Sequence, residues 1–198
     1  MSKWVCCFAV AALAFGGCIS SAPRAAENWA IEFWRAGAES GDAEVKCGAV
    51  RIAQISVRAP YDGTRLAVLR ADGSLAFDSY NAFAASPNQM LRGAVHDAVE
   101  ATGAFERVLS ANSGAVCELT LETTVTRLAL DCRKEGRRDA TIEMTFVLLK
   151  GRDAIASAHA EGKAATSDGD YSAAFSRALA KAVASAIDNI NPNRQPTD

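Results

Sequence analysis

The sequence predicts an α+β fold, a mainly antiparallel sheet with two helices packed on one face. Three observations predict it. Strand-like segments, a capped helix, further strands and a second helix follow one another along the chain. The last three strands are joined by loops too short for parallel crossovers. Both helices carry a single apolar stripe, which one sheet face can cover. The 198 residues, 49% hydrophobic and 22% charged, suit one globular domain with a real core.

The chain opens MSKWVCCFAVAALAFGGC. One basic residue, Lys3, precedes an uncharged apolar run from Trp4 to Gly17, with small residues before Cys18. That is the layout of a secretory signal peptide over residues 1–17. The run falls short of the ~20 residues that a membrane-spanning helix needs. Ala14-Phe15-Gly16-Gly17-Cys18 resembles a bacterial lipobox, with Phe15 where that pattern prefers Leu. The resemblance implies cleavage before Cys18 and lipidation of its thiol and new amino group. Residues 18–27 then hold the lipidated cysteine and a short tether. Its nine residues from Ile19 to Glu27 reach roughly 30 Å when extended.

Residues 28–191 form the expected single domain. From Asn28 to Arg35, Trp29, Ile31 and Phe33 alternate with Ala30, Glu32 and Trp34, which predicts a half-buried strand. Ala36 to Lys46 reads as a loop. Ala49 to Arg58 is β-branched, and its apolar phase changes between Ile52 and Ile55, which predicts a bulge or burial on both faces. Leu66 to Arg70 and Leu75 to Tyr80 flank the hairpin signal Asp72-Gly73.

The first helix starts at Ser86, with Pro87 inside it and Gln89 placed for a capping box. Leu91, Val95, Ala98 and Thr102 keep one stripe, and Gly103 suits a left-handed C-terminal cap. Strands are expected over Cys117 to Asp131, Ala140 to Leu149 and Ile155 to Gly162. Asp170 is the expected cap of the last helix, whose stripe is Phe175, Leu179, Val183 and Ile187. Pro192 ends it, and residues 192–198 read as a disordered tail.

A net charge of −2, one unit more negative without Lys3, argues against nucleic acid or an anionic membrane surface as a partner. Beyond Cys6, Cys7 and Cys18, three cysteines remain: Cys47, Cys117 and Cys132. They allow one disulfide in an oxidising compartment. Cys47–Cys132 is the favoured pair, because both flank strand ends. No CxxC, HExxH, GxSxG, phosphate-loop or GxGxxG motif occurs. His96 and His159 lie far apart and outside metal-like spacing. No enzyme activity, cofactor or metal is expected. Tyr80 and Phe83, just ahead of a helix cap, are candidate partner or ligand contacts, or else pack beneath the helix start.

Three stretches carry a family resemblance: VRIAQISVRAPYDGTRLAVLR, the hairpin LRADGSLAFDSYNAFAASPNQML, and the helix ending in TGAFERVL. Together with the later strands and the alanine-rich helix from Tyr171, they resemble the ABC-type transport auxiliary lipoproteins. That family includes the lipoprotein partner of the paraquat-inducible intermembrane transport system. Tyr80, Phe83, Ala84, Pro87 and Leu91 fall where the family has an aromatic segment ending in Trp-Ala before a proline and a helix, with Phe83 replacing the Trp.

The resemblance implies a non-enzymatic periplasmic component of a transport system. Its partners would be an ABC transporter and a mammalian-cell-entry-type periplasmic protein that together move lipids or other hydrophobic molecules between membranes. It also allows a homo-oligomer. Ile19, rather than Asp, after the lipidated cysteine points to the periplasmic face of the outer membrane. A lipoprotein regulator of a cell-wall synthase and a stand-alone carrier of hydrophobic ligands are the competing readings. The short tether disfavours the first of these, since crossing the cell wall takes a longer one.

Overall fold

A computed structural model describes residues 25–32, 47–166 and 170–190. The expected leader, Cys18, Phe33, Trp34 and the C-terminal tail lie outside the described residues. Among the described residues, eight strands and two helices form one α+β unit in the order β1 (Glu27–Trp29), β2 (Val50–Val57), β3 (Arg65–Leu69), β4 (Leu75–Phe83), α1 (Pro87–Ala101), β5 (Val108–Leu109), β6 (Leu119–Asp131), β7 (Asp139–Lys150), β8 (Asp153–Ala165) and α2 (Tyr171–Ile190).

The sheet is mixed, which corrects the expectation of a mainly antiparallel one. Four strand pairings are parallel (β1·β4, β2·β5, β2·β6, β3·β6) and three antiparallel (β3·β4, β6·β7, β7·β8). The physical reason is the length of β6. One edge of this 13-residue strand pairs with β7 along its whole extent. The other edge takes β2 against Leu119–Val125, then β3 against Ala129–Asp131, both in its own direction. The chain therefore runs forward from β2 to β3 instead of turning back. The 119–165 meander is antiparallel, as its short loops require.

Local chemistry places the elements. The phase change in β2 is a register shift between Ile52 and Ile55, which leaves Val50, Ile52, Ile55 and Val57 all buried. At the β3–β4 hairpin, Gly73 takes φ 80° and the Asp72 carboxylate accepts from the Ser74 N–H at 2.9 Å. Ser86 caps α1 through its backbone only: its carbonyl accepts from Gln89 and Met90, and its side chain makes no cap bond. The expected capping box is thus not formed, while Gly103 does take the left-handed φ of 68° that ends the helix. A shift between Val125 and Arg127 re-phases β6, so that Leu128 and Leu130 stay in the core and Arg127 turns out to Glu143.

Both helices cover one face. α2 lies on β7 and β8, α1 lies on β2, and the helices touch each other. Ala174, Phe175, Ala178, Leu179, Ala182 and Val183 of α2 are fully buried against Ile142, Met144, Phe146 and Leu148 of β7 and the small residues of β8. The opposite sheet face carries a polar row, Thr124, Thr145 and His159, across β6, β7 and β8.

Candidate functional site

The end of the sheet where β1 enters is the candidate site. Glu27, Asn28 and Trp29 pair in parallel with Asn81, Ala82 and Phe83 at the end of β4. The Ala84 N–H then donates to the Trp29 carbonyl at 2.8 Å. Ser172 and Ser176 of α2 donate their hydroxyls to the Ala30 and Glu32 carbonyls. Both helices begin here, so the chain following the expected tether is bound to β4 on one side and α2 on the other.

Under this junction lies an aromatic cluster. Trp29 stands 4.8 Å from Phe83, 5.7 Å from Tyr171 and 5.5 Å from Phe175, centroid to centroid. Phe83 is only 3% exposed. Its ring is a packing anchor for β1, β4 and α2, the second of the two roles open to it in the sequence, and it does not face a partner.

Tyr80 does the opposite. β4 carries an arch between Phe77 and Ala82, where the register with β3 breaks. The Asp78 carboxylate builds that arch, accepting from the backbone N–H of Tyr80 at 2.7 Å and of Asn81 at 2.9 Å, and from the Asn81 amide at 3.1 Å. Asn81 is drawn in, and Tyr80 is left 47% exposed. An Asp two residues before a tyrosine inside an alternating strand was the signal for this arch.

The remaining predicted residues are dispersed. Cys47 bridges to Phe105 beside the start of β2, whereas Cys132 follows the far end of β6 and donates its N–H to Leu69. Thirteen residues of β6 separate these ends, about 40 Å, against the ~7 Å limit between bridged Cα atoms. The expected Cys47–Cys132 disulfide is therefore not made within one chain. Burial pushes the Cys132 thiol pKa up, away from thiolate chemistry. Cys117, not Cys132, shares an end with Cys47; its thiol lies 2.8 Å from the Ala49 carbonyl.

His159 is exposed on the polar face, 3.4 Å from the Thr145 hydroxyl. On α1, His96, Asp97 and Glu100 bring one ligand atom each within 4.8 Å of one another, a grouping the spacing argument missed. Asp97 and Glu100 are solvent-facing, so this cluster alone assigns no metal. Beside it, Ile52, Arg92, Gly93, His96, Ser110 and Ala111 line an open groove of about 240 Å³. Nucleophile, base and oxyanion donors do not converge among the described residues. Among those residues, too, no helix is long and apolar enough to cross a membrane.

Residues 35–191 match the family model described as the ABC-type transport auxiliary lipoprotein component. The chain belongs to this family. Solved structures resemble the chain to different degrees, and the Xanthomonas protein shares its fold. Protein XCC0632 from Xanthomonas campestris is 22% identical, with 81% of this chain and 90% of that one aligned at a TM-score of 0.61. PelC from Paraburkholderia phytofirmans, described as a dodecamer, is 10% identical over 85% and 95% of the two chains at 0.43. Lipoprotein GNA1162 from Neisseria meningitidis is 12% identical over 62% and 88% at 0.37. No curated protein sequence is similar enough to match. The auxiliary lipoprotein family is one of transport components, so the chain is placed among envelope-associated, lipid-anchored proteins that serve a transporter.

Proposed function

We propose that this auxiliary lipoprotein is held by acyl chains on Cys18 at the periplasmic face of the outer membrane. There it docks a mammalian-cell-entry-type complex that moves lipids or other hydrophobic molecules between membranes. Family membership supports the transport role. The observation that carries the rest is the anchoring geometry. A tether of nine residues, roughly 30 Å at full stretch, ends in β1, which is built into β4 and α2. The β1–β4 end therefore faces the membrane, and the opposite end of the sheet is free to meet a partner. Tyr80, exposed beside β1, has the amphipathic ring suited to a headgroup layer. Two or more acyl chains make such anchoring stable, where one would be marginal. The protein acts by position and contact, with no reaction of its own.

Cys18→Ala tests the anchor. The variant is expected in the soluble periplasmic fraction, folded, with transport lost. Retention in the membrane fraction would refute lipidation at Cys18 as the anchor.

A further inference from the structure

We infer that the outer edge of β8 pairs with the same edge of a second copy of this chain, joining two sheets about a two-fold axis at Ala160. Among the described residues, β8 pairs with β7 alone. The Lys163 and Ala165 carbonyls point away from β7, since they accept from Lys181 Nζ at 3.0 Å and Arg177 Nη2 at 3.2 Å. Strand alternation then points the backbone groups of Ser157, His159 and Glu161 the same way. Two cations of α2 thus cover the proximal part of this edge, a usual defence of an open strand. The defence stops there. Arg177, Lys181, Ala184 and Asp188 follow one another on a single line of the helix, all exposed, and Ala184 is too short to reach the strand.

The second copy is the occupant that the charges and sizes fit. A strand meeting its own edge antiparallel can do so in few registers. Centred on His159, it sets imidazole against imidazole; centred on Glu161, it sets carboxylate against carboxylate, which is unfavourable. Centred on Ala160, it sets His159 opposite the partner's Glu161 and Glu161 opposite the partner's His159. Ser157 lies level with the partner's Lys163, whose carbonyl Lys181 covers, so the shared ladder is confined to His159 and Glu161.

The helix face agrees with that centre. Ala178 and Ala182 straddle Gly162. Two residues along β8 and about four and a half along α2 both advance about 7 Å, so Ala184 and Ser185 lie level with Ala160. The two α2 helices therefore approach each other at their smallest exposed residues. Antiparallel about the same point, they bring Lys181 level with the partner's Asp188. On the helix face every residue at the axis is small (Ala158, Ala160, Gly162, Ala184, Ser185); Glu161 meets the partner's His159, and Lys181 meets the partner's Asp188. An isologous contact needs this self-complementarity.

The test uses the full chain in its own membrane. His159→Cys combined with Glu161→Cys is expected to give a disulfide-linked species of twice the chain mass on mild oxidation, well above the level seen with the wild-type cysteines. Ser157→Cys alone should add nothing, because that residue and its copy stand six residues out of register. Ala184→Arg, an exposed change that extends the cationic cover, should cut the cross-linking at least tenfold while the circular dichroism spectrum is kept. A double-cysteine variant that stays at the mass of one chain would overturn the inference. So would cross-linking through Ser157→Cys, or cross-linking untouched by Ala184→Arg in a folded variant.

Discussion

Replacing Gly162 by alanine probes the contact on which the helical layer rests. A Cβ at this position would overlap the Ala178 carbonyl oxygen and lie 2.7 Å from the Ala178 carbonyl carbon and 2.9 Å from the Ala182 nitrogen. All three atoms are helix backbone, so no side chain can swing aside. α2 would have to lift from β8 by more than an ångström. Its fully buried Ala174, Phe175, Ala178, Leu179, Ala182 and Val183 would loosen together. Overpacking of this kind costs about 3 kcal/mol at the upper end of its range. Alanine recovers 0.5–1 kcal/mol, roughly, because glycine is a poor strand former. The net loss is about 2 kcal/mol, and for a chain of this length Tm should fall by about 4–8 °C. Thermal unfolding followed by circular dichroism measures it. Gly93→Ala is the matched control: that residue is exposed in α1 with nothing near its Cβ position, and alanine should stabilise by about 1 kcal/mol. A Gly162→Ala protein as stable as wild type would refute the claim that α2 sits directly on β8.

Other outcomes follow from single sites. Arg133 donates to the Asp131 carboxylate, which sits opposite Asp139 in the β6–β7 ladder, and holds its pKa down at about 2. A depressed carboxylate adds stability above its unfolded value near 4 and loses it as pH falls toward 2. Arg133→Ala should bring the Asp131 midpoint, followed by carboxyl NMR, back toward that value, and an unmoved midpoint would contradict the assignment. Phe83→Ala should cost about 3–5 kcal/mol in denaturant unfolding, since it empties the aromatic cluster, whereas Tyr80→Ala should stay within about 0.5 kcal/mol of wild type. Thr123 is 2% exposed and its hydroxyl finds no partner among the described residues, so Thr123→Val should leave stability equal or raise it by about 1 kcal/mol, read as a shift in denaturant midpoint.

Much of the fold was legible residue by residue. The switch of phase from Ile52 to Ile55 marked the β2 bulge, Asp72-Gly73 marked the hairpin, and the i, i+4 stripe from Phe175 marked the buried face of α2. These signals are local, and local geometry answers to them. Strand order is not local. Nothing in the Arg58–Thr64 segment says that β3 continues along the same edge of β6 that β2 has just left, and this is why the sheet is mixed.

The same gap explains the cysteines. Cys47 and Cys132 both flank strands, but which end of the sheet each strand end occupies depends on register, and register put them at opposite ends. At the candidate site, Tyr80 and Phe83 look alike in sequence. Only the arch held by Asp78 turns one outward and leaves the other in the core.

The docking role is tested by a cross-linking pull-down from membranes through a tag beyond Pro192, with the captured proteins identified by mass spectrometry. Recovery of a mammalian-cell-entry-type protein together with its transporter is expected, with loss of both when Cys18→Ala frees the chain from the membrane. Recovery of a cell-wall synthase in their place would contradict that role.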